Sequence, residues 1–581
     1  MCGICGAIGI GQSELAEEIT RRMMGALRHR GPDDEGFLAA PSVALGMRRL
    51  SIIDLPGGHQ PVFNEAGNVA VVCNGEIYNF RQLRNTLEGR GHAFRTDSDT
   101  EVIVHAYEEW GDKCLRELRG MFALAIWDAR SSGTSGDGAR HARMFLARDR
   151  LGIKPLYYVA TRGAFLFSSE VRSLLASGCI EPDISPSSLE GYLLFGSVAE
   201  PSTLIEGIFS VPPGHYLEFS ADAPPGTPAP KPYWDFAEAV SRQYGTEPKT
   251  IGDAAKELRP LLEEAIRDHL IADVPLGVFL SSGIDSTALV ALGSRLQPNL
   301  RTFTVIFPEQ RFSEAKLSRR TAKHFKTNHQ EILLAPDQVL AQVEDAVKSL
   351  DQPTMDGLNT YFVSRAARQA GLKVALSGLG SDEIFGGYST FATTPRAAFA
   401  ARLARWVPGS LRRLTAGATV KIATGDAARK AAAAWRSPND FPHAYYFTRT
   451  LYTPSRVRRL LAPYFESNDC TRSRVPPWRA RMEETARQAG RLDSFTSVSC
   501  LELQFYMVNT LLRDTDSVSM ANSLEVRVPF LDHRLIEFVG RLPKNAKFRA
   551  DTPKALLVEA LSDLLPEDVV HQPKRTFTLP W

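Results

Sequence analysis

Two stretches of this chain carry residue types at spacings that can do chemistry. The first is Met1-Cys2-Gly3-Ile4-Cys5. The small side chain after the initiator methionine favours its removal, which leaves Cys2 with a free α-amine beside its own thiol. An amine with a pKa of about 7.7–8.0 can act as base for a neighbouring nucleophile. One residue then supplies both groups, and no histidine is required. Cys2 and Cys5 also read as a CxxC pair for a metal or for redox chemistry. No second CxxC completes a zinc site, and no thioredoxin-like βαβ unit follows. A cysteine at position 2 with no chemical role is the plain alternative.

The second stretch is Leu280-Ser281-Ser282-Gly283-Ile284-Asp285-Ser286-Thr287. It lies where a strand-like run gives way to a helical one. Its small residues let backbone N–H groups close on phosphate. The helix beginning near Ser286 turns its positive end toward the same place. Asp285 is placed for Mg²⁺ rather than for phosphate itself. No Gly-Lys-Ser or Gly-Lys-Thr follows the glycine, so this is not a Walker A loop. The alternative is an ordinary strand-to-helix turn capped by Ser or Asp.

Four further segments follow the Cys2-Gly3 start in order. They are His29-Arg30-Gly31-Pro32-Asp33, Arg49-Leu50-Ser51-Ile52-Ile53-Asp54, Asn74-Gly75-Glu76-Ile77-Tyr78-Asn79 and Ser98-Asp99-Thr100-Glu101. Together they resemble the class II glutamine amidotransferase domain, an N-terminal-nucleophile (Ntn) hydrolase, over residues 1–200 or so. The resemblance implies that Cys2 is the nucleophile and that Asn74 and Gly75 donate to a tetrahedral oxyanion. Arg49 can fork the α-carboxylate of free glutamine, and Asp99 and Glu76 can meet its α-ammonium. His29 and Arg30 take a structural place beside that site.

The phosphate loop resembles the SGGxDS pyrophosphate loop of N-type ATP pyrophosphatases, with Ser282 replacing the first glycine. Ser377-Gly378-Leu379-Gly380-Ser381-Asp382-Glu383 follows another strand-like run and resembles the second metal segment of that group. The implied ATP site comprises Phe279, Ser281, Ser282, Gly283, Asp285, Ser286, Val305, Ser377 and Gly378. Lys574, in His571-Gln572-Pro573-Lys574-Arg575, would neutralise pyrophosphate, and Asp285 and Asp382 would hold Mg²⁺. A glutaminase followed by such a domain is the architecture of the glutamine-hydrolysing asparagine synthetase family, to which nearly the whole chain is similar. Glutamine, ATP and aspartate are then the substrates, with Mg²⁺ as cofactor. Asparagine, glutamate, AMP and pyrophosphate are the products, formed through an acyl-adenylate and internally delivered ammonia. The resemblance also implies a cytoplasmic enzyme and allows a homodimer.

Two departures leave the acceptor open. Leu379 stands where such synthetases carry Glu, and Met355-Asp356-Gly357-Leu358-Asn359-Thr360 lacks the arginine of their TTIRAS segment. A sugar acid, a polysaccharide or a secondary-metabolite carboxylate is the alternative acceptor. Met520 to Asp532 is a further family-like stretch, read as structural, whose Glu525 and Arg527 need partners if buried. Ala400 to Trp435 is rich in Ala and Arg; it reads as solvated helix faces, or else as a docking site for an acidic or membrane-linked acceptor.

The elements that must position these residues change character along the chain. Leu15, Ile19, Met23 and Leu27 recur at helical spacing, and Glu101 to Trp110 reads as a helix. Val69–Cys73, Met121–Trp127, Met144–Ala147 and Leu156–Val159 read as strands, and Ser131–Gly138 as a hairpin loop. Strands clustered with strands predict α+β with antiparallel sheets. After residue 250, helices and strands alternate, which predicts a doubly wound parallel α/β sheet, followed by a mostly helical part from about 395. With the resemblance, these become an Ntn hydrolase domain at 1–210, a connecting segment at 211–250 containing the Pro-rich Ala221–Pro232, and an adenine-nucleotide α-hydrolase-like domain at 251–581.

Composition agrees and excludes other classes. The 581 residues are 44% hydrophobic and 23% charged, which is ordinary globular usage. A net charge of +2 points neither to nucleic acid nor to a membrane surface. No run of about 18 apolar residues predicts a spanning helix. Seven cysteines, sparse and odd in number, suit a reducing compartment without a disulfide framework.

Overall fold

The clustered strand-like runs in the first part of the chain become two layered antiparallel sheets. The structure, a computed structural model, describes residues 2–130, 142–161, 163–221, 226, 228–241, 250–308, 314–422, 426–464 and 475–572. The strands of the first part are β1 (Cys2–Ile8), β2 (Asp34–Ala40), β3 (Val43–Arg49), β4 (Val62–Phe63), β5 (Val69–Ile77) and β6 (Gly120–Asp128). They continue with β7 (Arg143–Arg148), β8 (Tyr157–Thr161), β9 (Ala164–Ser168), β10 (Phe209–Ser210), β11 (His215–Ser220) and β12 (Lys231–Pro232). One sheet runs β10-β8-β9-β1-β3-β2 and the other β12-β11-β7-β6-β5-β4. β6 and β7 pair antiparallel as the hairpin predicted; its loop, Ser131–Gly138, lies outside the described residues. β11 and β12 carry the second sheet beyond residue 210.

Alternation decides which face each side chain takes. Cys2, Ile4 and Ile8 of β1 enter the core between the sheets, with Val72 of β5, Ala125 of β6 and Leu146 of β7. Cys5 and Ala7 face the other way, into a core closed by the Ser13–Ala26 helix through Ile19 and Met23. Cys2 and Cys5 therefore sit on opposite faces of one strand, which removes the CxxC reading. Leu15, expected on the apolar face of that helix, is 41% exposed. Steps of four residues drift by about 40° each, so Leu15 lies far around from Leu27.

The second part of the chain builds the expected parallel sheet from β13 (Leu276–Phe279), β14 (Arg301–Ile306), β15 (Asn328–Leu333), β16 (Val374–Leu376) and β17 (Glu525–Arg527). The order is β15-β14-β13-β16-β17, and every adjacent pair is parallel. β17 corrects the helical reading of the tail. The sequence does carry a local sign of it: Leu524-Glu525-Val526-Arg527-Val528 alternates apolar and charged residues with the period of a strand, inside a tail that otherwise reads as helix. The region from 395 is otherwise helical among the described residues. In the Ala400–Trp435 stretch, Leu403, Trp406 and Leu414 are exposed, so those helix faces are not purely charged. Among the described residues, no helix is long and apolar enough to cross a membrane.

Buried ions join the two parts. Arg30 is wholly buried; its Nε donates to the Cys2 carbonyl at 3.0 Å, its Nη1 to Glu170 at 2.8 Å and its Nη2 to Asp516 at 2.8 Å. Lys154 Nζ reaches the other oxygen of Asp516 at 3.3 Å. Truncating one member of such a group strands the others in a medium that cannot solvate them. Arg30→Ala should cost about 3–5 kcal/mol of stability, and Arg30→Lys should recover only part because an ammonium cannot fork two carboxylates. Chemical denaturation of the full chain checks both.

Candidate active sites

Cys2 opens β1, and its Cα partner on β3 is Arg49. Its backbone nitrogen donates to Asn74 Oδ1 at 3.0 Å. Asn74 lies on β5 two residues after Val72, so alternation sends its side chain into the same inter-sheet space. The other end of that amide, Nδ2, is buried and has no hydrogen-bond partner among the described residues. A buried unmade donor is costly, and a ligand oxygen would satisfy it. Gly75 has no room for a side chain: a Cβ there would lie 2.2 Å from the Met121 carbonyl oxygen. Burial pushes the Cys2 thiol up, opposed by a backbone hydrogen bond from Leu50 and by the Arg49 charge.

The glutamine-binding candidates fall into unequal positions. Asp99 accepts from Ile77 N at 2.8 Å, and burial pushes its carboxyl up to about 6. Arg49 is committed to the following loop: its Nη1 donates to the Leu55 carbonyl, and its Nη2 to those of Ile53 and Asp54. Glu76 is not free for an ammonium. Its Oε2 accepts from Arg527 Nη2 at 3.0 Å, an ion pair with the other part of the chain. Burial, with Asp99 nearby, raises the Glu76 carboxyl well above the usual range. His29 and Arg30 are structural neighbours, both bonded to Glu170.

The phosphate-loop residues gather at the carboxyl ends of β13 and β16, where the strand order reverses. Such a switch point opens the crevice in which doubly wound sheets take ligands. Ser281 to Gly283 lead from β13 into the Ile284–Leu296 helix. Ser281 Oγ bonds Ser286 Oγ at 2.8 Å, and Gly283 N donates to Ser281 Oγ at 3.3 Å. Across the crevice, Ser377 and Gly378 follow β16. A Cβ on Gly378 would come 2.8 Å from that of Asp285, so glycine lets the two loops touch. Phe279 ends β13 and Val305 lies on β14, both half-buried.

Asp285 and Asp382 converge on a single cation, Lys554. Its Nζ lies 2.5 Å from Asp285 Oδ1 and 2.6 Å from Asp382 Oδ1, and Ser381 Oγ also donates to Asp285 at 2.6 Å. Burial alone would depress this ammonium; the two aspartates reverse that and hold it above the ordinary lysine value. Two carboxylates close enough to share one ammonium are close enough to share a divalent cation. The sequence reading missed Lys554, a lone lysine in Thr552-Pro553-Lys554. Lys574 lies outside the described residues.

Residues 257–581 match the family described as asparagine synthase, and residues 1–234 the glutamine amidotransferase domain. This chain belongs to the asparagine synthase family. Glutamine-hydrolyzing asparagine synthetase 1 of Bacillus subtilis is 31% identical, over 100% of this chain and 87% of its own length. A putative glutamine-hydrolyzing asparagine synthetase of Mycobacterium tuberculosis is 32% identical, over 100% of this chain and 88% of its own. An amidase of Gibberella zeae is 27% identical, over 98% and 86%. Membership makes the chain an ATP-dependent, glutamine-hydrolysing ligase.

Lys554 gives this family member a testable signature. Lys554→Met leaves Asp285 and Asp382 facing each other without their cation. The thermal midpoint should fall in metal-free buffer and recover on adding Mg²⁺, while glutaminase activity stays near wild type. Thermal denaturation with and without Mg²⁺, beside a glutamate-release assay, reads both.

Proposed function

We propose that the chain is a glutamine-dependent asparagine synthetase that hydrolyses glutamine at Cys2 and activates aspartate with ATP at the β13/β16 crevice. The observation that carries this reading is the pair of prepared sites in one chain. In one, an amide with an unmade buried donor faces Cys2; in the other, two aspartates share one ammonium at a switch point. The proposed division is a glutaminase part over 1–210, a connection over 211–250 and a synthetase part over 251–581. The strands between 215 and 232 favour a later first boundary.

In the proposed first half-reaction, loss of Met1 turns the Cys2 nitrogen into an amine already held by Asn74 Oδ1. The amine takes the thiol proton, and the thiolate attacks the glutamine side-chain amide. Asn74 Nδ2, with the Gly75 N–H, steadies the oxyanion. Ammonia leaves, and water clears the thioester to give glutamate. Arg49 would meet the α-carboxylate only through the N–H groups that its three loop contacts leave over, and Asp99 would meet the α-ammonium. Glu76, tied to Arg527, would act on that ammonium through its field rather than by contact.

In the second, the acceptor carboxylate attacks the α-phosphate of ATP, and the acyl-adenylate takes up ammonia. The backbone of Ser281, Ser282 and Gly283, with Ser286, would cradle pyrophosphate. Phe279, Val305, Ser377 and Gly378 would border adenine and ribose, and Lys554 and Lys574 would face the leaving charge. Mg²⁺, held by Asp285 and Asp382, would neutralise the departing pyrophosphate. Ammonia kept inside the protein stays unprotonated, which bulk water would not allow.

A second reading has its own observation. Leu379 packs against the apolar core at the position where a carboxylate would serve aspartate synthesis. The acceptor is then another carboxylate, such as a sugar acid or a secondary metabolite. Aspartate-dependent pyrophosphate release that yields asparagine, with glutamine or ammonium as nitrogen donor, supports the first reading. Glutaminase activity without such release sinks it and leaves the second.

Cys2→Ala should abolish glutamine-dependent synthesis and spare ammonia-dependent synthesis; loss of both would refute a two-site enzyme. Asn74→Ala should lower glutaminase kcat about 10²–10³-fold with the fold intact. Asp99 is neutral below about 6 and charged above it, because its carboxyl is raised. Only the charged form pairs with an ammonium, so kcat/KM for glutamine should rise as pH passes from about 5 to about 7. Asp99→Asn should flatten that limb in a pH profile of glutamate release.

A further inference from the structure

A cluster unrelated to either proposed site lies on the outer side of the second sheet. Glu65 stands in the turn between β4 and β5, and His92 in the loop after the Phe80–Glu88 helix. His105 and Glu108 are one turn apart on the Glu101–Trp110 helix. One ligand-type atom from each of the four residues lies within 4.8 Å of all the others. His105 Nδ1 is 3.5 Å from Glu65 Oε2 and 3.6 Å from Glu108 Oε2. His92 Nδ1 is 3.8 Å from Glu65 Oε1 and 3.9 Å from Glu108 Oε2.

These distances are the informative feature. A hydrogen bond between such atoms spans about 2.7–3.2 Å, and none of the pairs is that close. Ligands at tetrahedral corners about 2.0–2.2 Å from a zinc ion stand about 3.3–3.6 Å apart; the His105 pairs have that spacing, and the His92 pairs stand slightly wider, to be drawn in when an ion binds. His105 is 1% exposed, yet neither ring nitrogen has a hydrogen-bond partner among the described residues; buried Glu108 Oε2 has none either. A fully buried imidazole aimed at two carboxylates without bonding either is poorly explained by packing.

We propose that Glu65, His92, His105 and Glu108 form a tetrahedral site for a divalent cation of the zinc class. Two imidazoles with two carboxylates suit zinc, whereas Mg²⁺ and Ca²⁺ take oxygen shells. Two neutral imidazoles and two carboxylates sum to −2, which a divalent ion cancels. A further carboxylate stands beyond the other nitrogen of each ring, too far for a hydrogen bond in the metal-free arrangement. His105 Nε2 faces Glu101 Oε1 at 3.6 Å, and His92 Nε2 faces Glu109 Oε2 at 3.5 Å. The other oxygens of the ligand carboxylates are held as well: Glu108 Oε1 accepts from Asn64 Nδ2 at 2.6 Å. Glu65 Oε1, the oxygen that faces His92, accepts from Ala93 N at 2.8 Å, which leaves Oε2, beside His105, as the ligand oxygen; the 38% side-chain exposure of Glu65 gives an entry path.

The ion would pin the β4–β5 turn and the loop after Phe80–Glu88 to the helix that directly follows Asp99. Its role is structural, and it stands whether or not Asp99 binds glutamine. The test uses the untagged full-length chain, loaded with zinc, passed through gel filtration and measured by mass spectrometry for zinc, copper, nickel, cobalt, iron and manganese. Close to one zinc per chain is expected, with His105→Ala at background. Cobalt substitution of the wild type should give the visible bands of a tetrahedral nitrogen–oxygen site. Should His105→Ala fail to fold, Glu65→Gln, the most exposed of the four, should weaken zinc binding at least tenfold in a chelator competition. Trace zinc in the loaded wild type, zinc equal in wild type and variants, or cobalt without tetrahedral bands would overturn the site. A metal-free packed cluster of histidines and glutamates would then be the correct description.

Discussion

Arg527 is the residue through which the two halves of the molecule hold one another. It is wholly buried on edge strand β17, and every direction around it is used. Nε meets Glu525 at 2.5 Å and Nη2 meets Glu76 at 3.0 Å, while Nη1 donates to the carbonyls of His269 and Ile271. Its own carbonyl accepts from Ser377 N at 2.8 Å, at the carboxyl end of β16. A guanidinium out of water is tolerable only when its fork is filled, so Glu76, Glu525 and the 269–271 turn must be where they are. One residue, by side chain on one side and backbone on the other, thereby ties the strand bearing Asn74 and Gly75 to the loop bearing Ser377 and Gly378.

The acids around Arg527 are not equivalent. Burial pushes the Glu525 carboxyl up, but Arg527 more than reverses this and brings it down to about 2. Glu76 goes the other way, raised by burial and by Asp99. Glu525 is thus the firm counter-ion, and Glu76 and Asp99 form a strained acidic pair at the rim of the Cys2 space. An incoming ammonium would relieve that strain, which suits an amino-acid-binding end. Arg30 and Lys154, both on Asp516, repeat the arrangement deeper in the interface. The halves meet through buried charge, so their relative placement is specific rather than merely adhesive.

Much of this was legible locally. The apolar runs Val69–Cys73 and Met121–Trp127, clustered with other strand-like runs, read as antiparallel strands, and the alternation of helices with strands after residue 250 read as the parallel sheet. Cys2, Asn74, Asp285 and Asp382 were legible as side-chain types at particular spacings within short segments. Lys554 was not, because a lone lysine before a helix has no local signature, and only folding brings it between Asp285 and Asp382. β17 was not, although Leu524-Glu525-Val526-Arg527-Val528 alternates with the strand period, because so short a run is outweighed by the helical pattern on either side. Glu76 was legible as an acid but not as Arg527's partner, since 451 positions separate them.

The sequence by itself determined the two-part architecture and the family, and it named Cys2 and the 281–286 loop as the residues the proposed chemistry uses. These are carried by short segments whose chemistry depends on neighbours along the chain. Only the tertiary structure decided which Cys faces the site, which carboxylates are free and which cation sits between Asp285 and Asp382. It alone brought Glu65, His92, His105 and Glu108 together. Such decisions depend on strand facing and on pairings across hundreds of residues, where burial makes an unpaired charge intolerable and so selects one arrangement.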